Sequence, residues 1–219
     1  MNERLEGNNK EYSALEITDA VIRLAELALR FSRVERATYH PDGLRRETDS
    51  DHTVMLSLIG CAIATEIRPD LDVGRIAQFC LVHDLVEAYA GDTATLVIDQ
   101  QGLDDKELRE QAALQRLHRE FDDTLPWLTE TIEAYESRLT PEARFVKVLD
   151  KLMPKITHIF NGGVYLHQIG MSKDQLLAFY EAQPAAIASY AFDQPELMLL
   201  RELLTVQMIA DVYPEDLPE

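Results

Sequence analysis

Along most of the chain apolar residues recur at intervals of three and four, the spacing that places them on one face of an α-helix. Ile17, Val21, Leu24, Leu27, Ala28 and Phe31 trace the first such stripe and predict an amphipathic helix from Ile17 to about Val34. A second begins at Asp49 or Ser50, carries Met55, Leu56, Ile59 and Ile63, and stops before Pro69, whose ring cannot continue it. A third runs from about Asp72 to Ala90, with Gly91 as a left-handed stop. Leu103 to about Asp123 and Trp127 to about Arg138 give two more, and Thr140-Pro141 opens a sixth, threonine capping and proline in the first helical position. Ser172 to Tyr190 and Pro195 to Val212 complete the set, after a connection punctuated by Gly162, Gly163 and Gly170. No stretch shows the apolar/polar alternation of a strand, and there is no internal repeat or long linker. The pattern therefore predicts an all-α, single-domain helical bundle over 17–212, with 1–16 as an N-terminal extension and 213–219 as an acidic tail.

Charge narrows the range of partners. Lys and Arg number 21 against 39 Asp and Glu, a net charge of −18, so a nucleic-acid polymer or an anionic membrane surface would be repelled. The longest nearly uncharged run, Thr53 to Thr65, is too short for the roughly 20 residues of a membrane span. The start of the chain, MNERLEGNNK, lacks the apolar stretch of a signal peptide, and the expected location is the cytoplasm. Cys61 and Cys80 both sit in apolar helical patterns, which predicts free thiols.

The third helix carries the chemistry. Between Ile76 and Tyr89 it is apolar on nearly every side, as a central helix would be, yet it contains His83, Asp84 and Glu87. Burying an unpaired carboxylate costs several kcal/mol, so these groups require partners. A divalent cation would serve all three at once; the alternative is a carbonyl for the histidine and an arginine for the aspartate. Adjacent His and Asp, about 100° apart on a helix, can converge on one ion. Two further polar residues interrupt apolar patterns. His52 precedes the stripe of the second helix, and Asp150 falls on the inward face set by Val146, Leu149 and Met153. Pro154, which has no N–H to offer the Asp150 carbonyl, loosens the sixth helix there.

His52, then His83-Asp84, then Asp150 resembles the H…HD…D pattern of the metal-dependent HD-domain phosphohydrolases. The segments ETDSDH (47–52), HDLVEAYAGD (83–92) and Asp150-Lys151 are similar to the 5′-deoxynucleotidase branch, in which a Glu and a Gly-Asp follow the HD pair. The resemblance spans roughly 17–160 and implies an HD-type helical bundle. It also implies that His52, His83, Asp84 and Asp150 hold one divalent metal of the Mn, Co, Ni or Fe type. Binuclear relatives insert more histidines before the last Asp; here only His118 intervenes, in the charged segment LHRE, where a surface role is expected. Glu87 becomes the candidate to orient or deprotonate water, one turn beyond His83 on the same face. Asp92 becomes the candidate to assist at the water or leaving group, with a helix cap as its alternative. Asp51 is expected to steady a ligand or cap its helix.

An anionic substrate needs cations, and Arg30, Arg33, Arg36, Arg45 and Arg46 stand against only Glu35 and Asp42 in the segment before His52. This island is either a solvated helix end or a phosphate clamp. Aligning Val34-Glu35-Arg36 with the family's segment makes Arg36 the phosphate contact, with Arg33 and Arg45 next in line. Lys151 and Lys147, four residues apart around Asp150, are further candidates, or a solvated face. The sequence departs from the bacterial branch at Ala37, where those enzymes carry Trp, and the loop 37–46 is longer; Tyr39 or His40 is expected to replace the lost surface. The expected activity is release of phosphate from (deoxy)nucleoside 5′-monophosphates. The alternatives are a dNTP triphosphohydrolase, suited by the longer loop and by Arg45 and Arg46, and a non-catalytic nucleotide-binding module. A homodimer through Leu197, Met198, Leu200, Leu203, Met208 and Ile209 is the expected assembly, with internal packing of those residues as the alternative.

Overall fold

Capping chemistry marks out the elements of the computed structural model, which describes residues 4–7 and 10–214. The end of the expected tail, 215–219, and residues 1–3, 8 and 9 of the expected extension lie outside the described residues. Ser13 and Glu16 form a reciprocal capping box that starts α1 (Ala14–Phe31), and Thr48 and Asp51 form another that starts α2 (Asp49–Ile67). Asp72 caps α3 (Val73–Val82), Asp99 caps α5 (Gln100–Phe121), and Thr140 with Pro141 opens α7 (Pro141–Asp150). Ser172 caps α10 (Lys173–Ala191), and α11 spans Pro195–Val212. The remaining helices are α4 (Glu87–Ala90), α6 (Trp127–Ser137), α8 (Met153–Asn161) and α9 (Val164–Gln168).

Two short antiparallel hairpins interrupt the helices: β1 (Arg4–Gly7) with β2 (Lys10–Ser13), and β3 (Glu35–Tyr39) with β4 (Arg46–Thr48). Strands of three to five residues are too short for alternation to register, and this is why the sequence pattern missed them. The second hairpin positions two of the candidate site residues, because β3 carries Arg36 and β4 leads directly into the start of α2, which carries His52.

The expected third helix does not run unbroken to Ala90. It ends at Val82, and the backbone N–H groups of Leu85, Glu87, Ala88 and Tyr89 reach the carbonyl three residues back, as in Glu87 N to Asp84 O at 2.8 Å. Such 3₁₀-type turns advance about 120° per residue, so Glu87 is swung off the face of His83 instead of stacking above it. The expected sixth helix likewise stops at Asp150, and Pro154 opens the next one. Helices α8 and α9 occupy what reads as a glycine-punctuated connection.

Packing falls into three neighbouring clusters. Leu56, Ile76, Phe79, Phe145 and Leu149 join α2, α3 and α7, while Leu27, Val82, Leu117 and Leu128 join α1, α3, α5 and α6. Leu166, Leu176, Met208 and Val212 join α9, α10 and α11. In the set offered above as a dimer face, Leu197, Met208 and Ile209 are buried and Met198 and Leu200 pack against the core, so only Leu203 stays exposed, beside Leu199 and Val206. Cys61 and Cys80 are free thiols. Among the described residues no helix is long and apolar enough to cross a membrane.

Candidate active site

The first turn of α2, the end of α3 and the last residue of α7 meet around His52, His83, Asp84 and Asp150, whose ligand-type atoms lie within 4.8 Å of one another. Each histidine is oriented from behind. His83 Nδ1 lies 2.7 Å from the Cys80 carbonyl and donates to it, which leaves the Nε2 lone pair pointing inward. That nitrogen is buried and makes no hydrogen bond, with Asp84 Oδ2 at 3.0 Å and Asp150 Oδ1 at 4.0 Å. His52 Nε2 stands 3.1 Å from Asp150 Oδ1, and its Nδ1 faces Glu47 Oε1 at 3.5 Å. Glu47 is itself buried and accepts from Thr38 Oγ1 at 2.5 Å.

The charges are tightly balanced. Burial would lower the His52 pKa, yet the hydrogen bonds to Asp150 and Glu47 push it up to about 9. Against burial, His83 and Arg36 hold the Asp84 carboxyl well below the usual carboxylate range, and Lys151 and His52 do the same for Asp150. Two nitrogens and two carboxylates, with one buried nitrogen unpartnered, form a donor set that fits a divalent first-row cation.

A second acidic group sits alongside: Asp49, Glu87 and Asp92, again within 4.8 Å. Burial raises the Glu87 carboxyl above its ordinary range, the Asp84 carboxylate adds to this, and Lys106 opposes it. Lys106 Nζ holds Glu87 Oε1 at 2.8 Å, while Oε2 is buried without a partner. Asp49, fully buried, is raised by burial in the same way, although Arg36 stands against it. Arg36 spans the two groups, its Nη1 lying 2.9 Å from Asp84 Oδ2 and 3.1 Å from Asp49 Oδ1. Arg36, Glu87, Asp92, Lys106, Lys147 and Lys151 line one cavity of about 320 Å³ beside the histidine-aspartate cluster.

Of the residues singled out in the sequence, His52, His83, Asp84, Glu87, Asp92, Asp150, Arg36 and Lys151 are brought together. Arg33 and Arg45 are not: both are exposed, neither lines a cavity at the cluster, and Arg45 Nη2 instead lies 3.4 Å from His40 Nδ1. Tyr39 and His40 also turn away, Tyr39 donating to Gln168 and His40 Nε2 meeting Asp51 Oδ2 at 3.0 Å. Arg46 stacks over the Tyr39 ring and donates to the Arg36 carbonyl. Asp51 is the N3 partner of the α2 capping box, and His118 lies between Asp122 and Glu133. Sequence reasoning missed Glu47, Asp49 and Lys106. The first two stand within ETDSDH itself, so the density of acids before the histidine was their signal; Lys106 had none, since α5 is charged throughout.

The chain belongs to the HD domain family, whose sequence model matches residues 29–189. Among curated proteins, the 5′-deoxynucleotidase HDDC2 of Xenopus laevis is 31 % identical over 134 residues, covering 60 % of this chain and 64 % of the relative. The HDDC2 of Homo sapiens is 28 % identical, with 60 % and 63 % covered. The chain thus spans less than two thirds of the length of these relatives. Among solved structures, a predicted metal-dependent phosphohydrolase from Magnetospirillum magnetotacticum superposes with a TM-score of 0.70 at 24 % identity, covering 89 % of this chain and 93 % of that one. A conserved hypothetical protein from Pyrococcus furiosus gives 0.53 at 24 % identity, with 85 % and 98 % covered. These two likenesses establish the fold.

Proposed function

We propose that this chain is a metal-dependent phosphohydrolase that releases orthophosphate from deoxynucleoside 5′-monophosphates. The observation that carries the reading is the convergence of His52, His83, Asp84 and Asp150 beside a cavity that also holds Arg36, Glu87 and Asp92. The substrate class is supported by the HDDC2 relatives.

In this reading His52, His83, Asp84 and Asp150 hold one divalent cation of the Mn, Co, Ni or Fe type, which when bound supplies Lewis acidity toward a phosphoryl oxygen and lowers the pKa of water. Arg36, its guanidinium already among the carboxylates, turns toward a phosphoryl oxygen, with Lys151 as the second charge. Glu87 exchanges a proton at Oε2 while Lys106 fixes Oε1, the arrangement of a positioned general acid or base. Asp92, beside Glu87 in the same cavity, supports the oxygen that leaves with the sugar. Arg33 and Arg45 have no part in it.

Longer phosphate chains gain no support from Arg45 and Arg46, which turn away from the cavity, and two of its lining lysines, Lys106 and Lys147, are already paired with Glu110 and Glu136. A purely binding role leaves the Lys106–Glu87 arrangement without a use. The proposal includes a cytoplasmic enzyme whose catalytic unit is the bundle 17–212, paired as a homodimer through the exposed Leu199, Leu203 and Val206 of α11.

The test is orthophosphate release from a deoxynucleoside monophosphate panel after chelation and after re-addition of each metal. Activity lost to the chelator and restored by one of these metals is expected. Release indifferent to chelation, or none with any metal, would overturn the reading.

A further inference from the structure

Proline at position 184 leaves a mark on the helix that contains it. It lies inside α10 and has no N–H, so the carbonyl of Tyr180, one turn earlier, loses its helical donor. Arg201 of α11, only 4 % exposed, supplies the replacement: its Nη2 donates to the Tyr180 carbonyl. The same guanidinium donates from Nε to Gln183 Oε1 at 3.1 Å. Among the described residues no carboxylate forms an ion pair with Arg201, so its side-chain hydrogen bonds go to these two oxygens.

The consequence falls on Gln183. An arginine has only donors, so the oxygen of the Gln183 amide must face it, and the amide –NH₂ is left to point elsewhere. Gln183 lines a second cavity, of about 150 Å³, that shares Arg36, Asp92, Asp150 and Lys151 with the first and is therefore continuous with the phosphate end of the site. Its character is different. Tyr165, Phe179 and Tyr180 give it aromatic walls, and Ala37 leaves open the space on the β3 side. Carboxylates crowd the first cavity, whereas this one offers faces on which a planar base can stack. His158 also lines it, and burial pushes its pKa down to about 4, so the ring is neutral and adds no charge to this end of the site.

We propose that this second cavity is a base-reading pocket in which Gln183, oriented by Arg201, donates to a ring carbonyl and so favours oxo bases (hypoxanthine, guanine, thymine, uracil) over adenine. It rests on the nucleotidase reading for the substrate class and deepens that reading. Hypoxanthine presents a carbonyl at this edge, complementary to a donor from Gln183. Adenine presents an amino group beside a bare nitrogen, which opposes donor to donor.

Deoxyinosine and deoxyadenosine differ at this edge and carry no phosphate, so their equilibrium binding to the full chain reports the pocket independently of turnover. Deoxyinosine is expected to bind about tenfold more tightly, the worth of one such hydrogen bond. Gln183→Glu keeps the shape and the Arg201 contact but offers only acceptors, and it should reverse the preference toward deoxyadenosine. Equal affinities in the wild type, no binding of either nucleoside, or an unchanged ratio in Gln183→Glu would overturn the proposal. Preserved nucleoside discrimination in a protein that hydrolyses no monophosphate would overturn the nucleotidase reading and leave this one standing.

Discussion

Lys155 of α8 is fully buried, and its Nζ has no hydrogen-bond partner. It lies 3.7 Å from the centre of the Tyr180 ring. Burial, with Arg201 and Lys151 nearby, lowers its pKa from the ordinary 10.5 to about 7. At about 1.4 kcal/mol for each tenfold change, that displacement sets a ceiling of roughly 5 kcal/mol on the cost of the charge. Contact of the cation with the aromatic face returns about 1–2 kcal/mol of it. Lys155→Met keeps the length of the side chain, places a thioether against Tyr180, and should stabilise the protein by about 2–4 kcal/mol at pH 6. The sign of the pH dependence follows from proton counting. Between about pH 7 and 10.5 the unfolded lysine binds more protons than the folded one, so wild-type stability gained from this group rises across that window. Below about pH 7 the penalty is present in full. The advantage of the methionine variant should therefore shrink by roughly 2–3 kcal/mol between pH 6 and pH 9. Denaturant unfolding followed by circular dichroism at the two pH values measures it. A destabilised variant, or a gain equal at both pH values, would refute the reasoning.

The site makes three further predictions. His83→Ala, Asp84→Ala and Asp150→Ala should each lose bound metal and the thermal stabilisation that metal confers, and full occupancy by elemental analysis would remove that residue from the ligand set. Glu87→Gln should retain metal while turnover falls by roughly 10² to 10⁴, and near wild-type turnover in a steady-state assay would end its role as acid or base. Arg36→Ala should weaken a nucleoside monophosphate by at least about tenfold while leaving the nucleoside within about twofold, as expected for a charge-assisted phosphate contact; equal losses in a binding titration would move the clamp elsewhere.

The helical bundle was legible from the spacing of apolar residues, and the histidine-aspartate cluster from charges within that spacing. His83, Asp84 and Asp150 are polar residues on faces otherwise built for burial, and a misplaced charge is visible without coordinates. What stayed hidden depends on tertiary contacts. HDLV contains no glycine or proline, so nothing in it announces that α3 stops at Val82 and that the chain tightens to carry Glu87 toward Asp49 and Asp92. The arginine island overstated the site, because composition cannot say which way a short hairpin faces: β3 turns Arg36 inward, while Arg33 and Arg45, on either side of it, remain in solvent. Gln183 carried no signal at all. Its role depends on Pro184 freeing a carbonyl for Arg201, a relation between two helices.

Product analysis by mass, after incubating metal-loaded protein with dAMP and, separately, with dATP, shows which phosphate bond the enzyme cuts. A monophosphatase gives deoxyadenosine and orthophosphate from dAMP, and this is the expected result. Deoxyadenosine and intact triphosphate from dATP, with dAMP untouched, would contradict it.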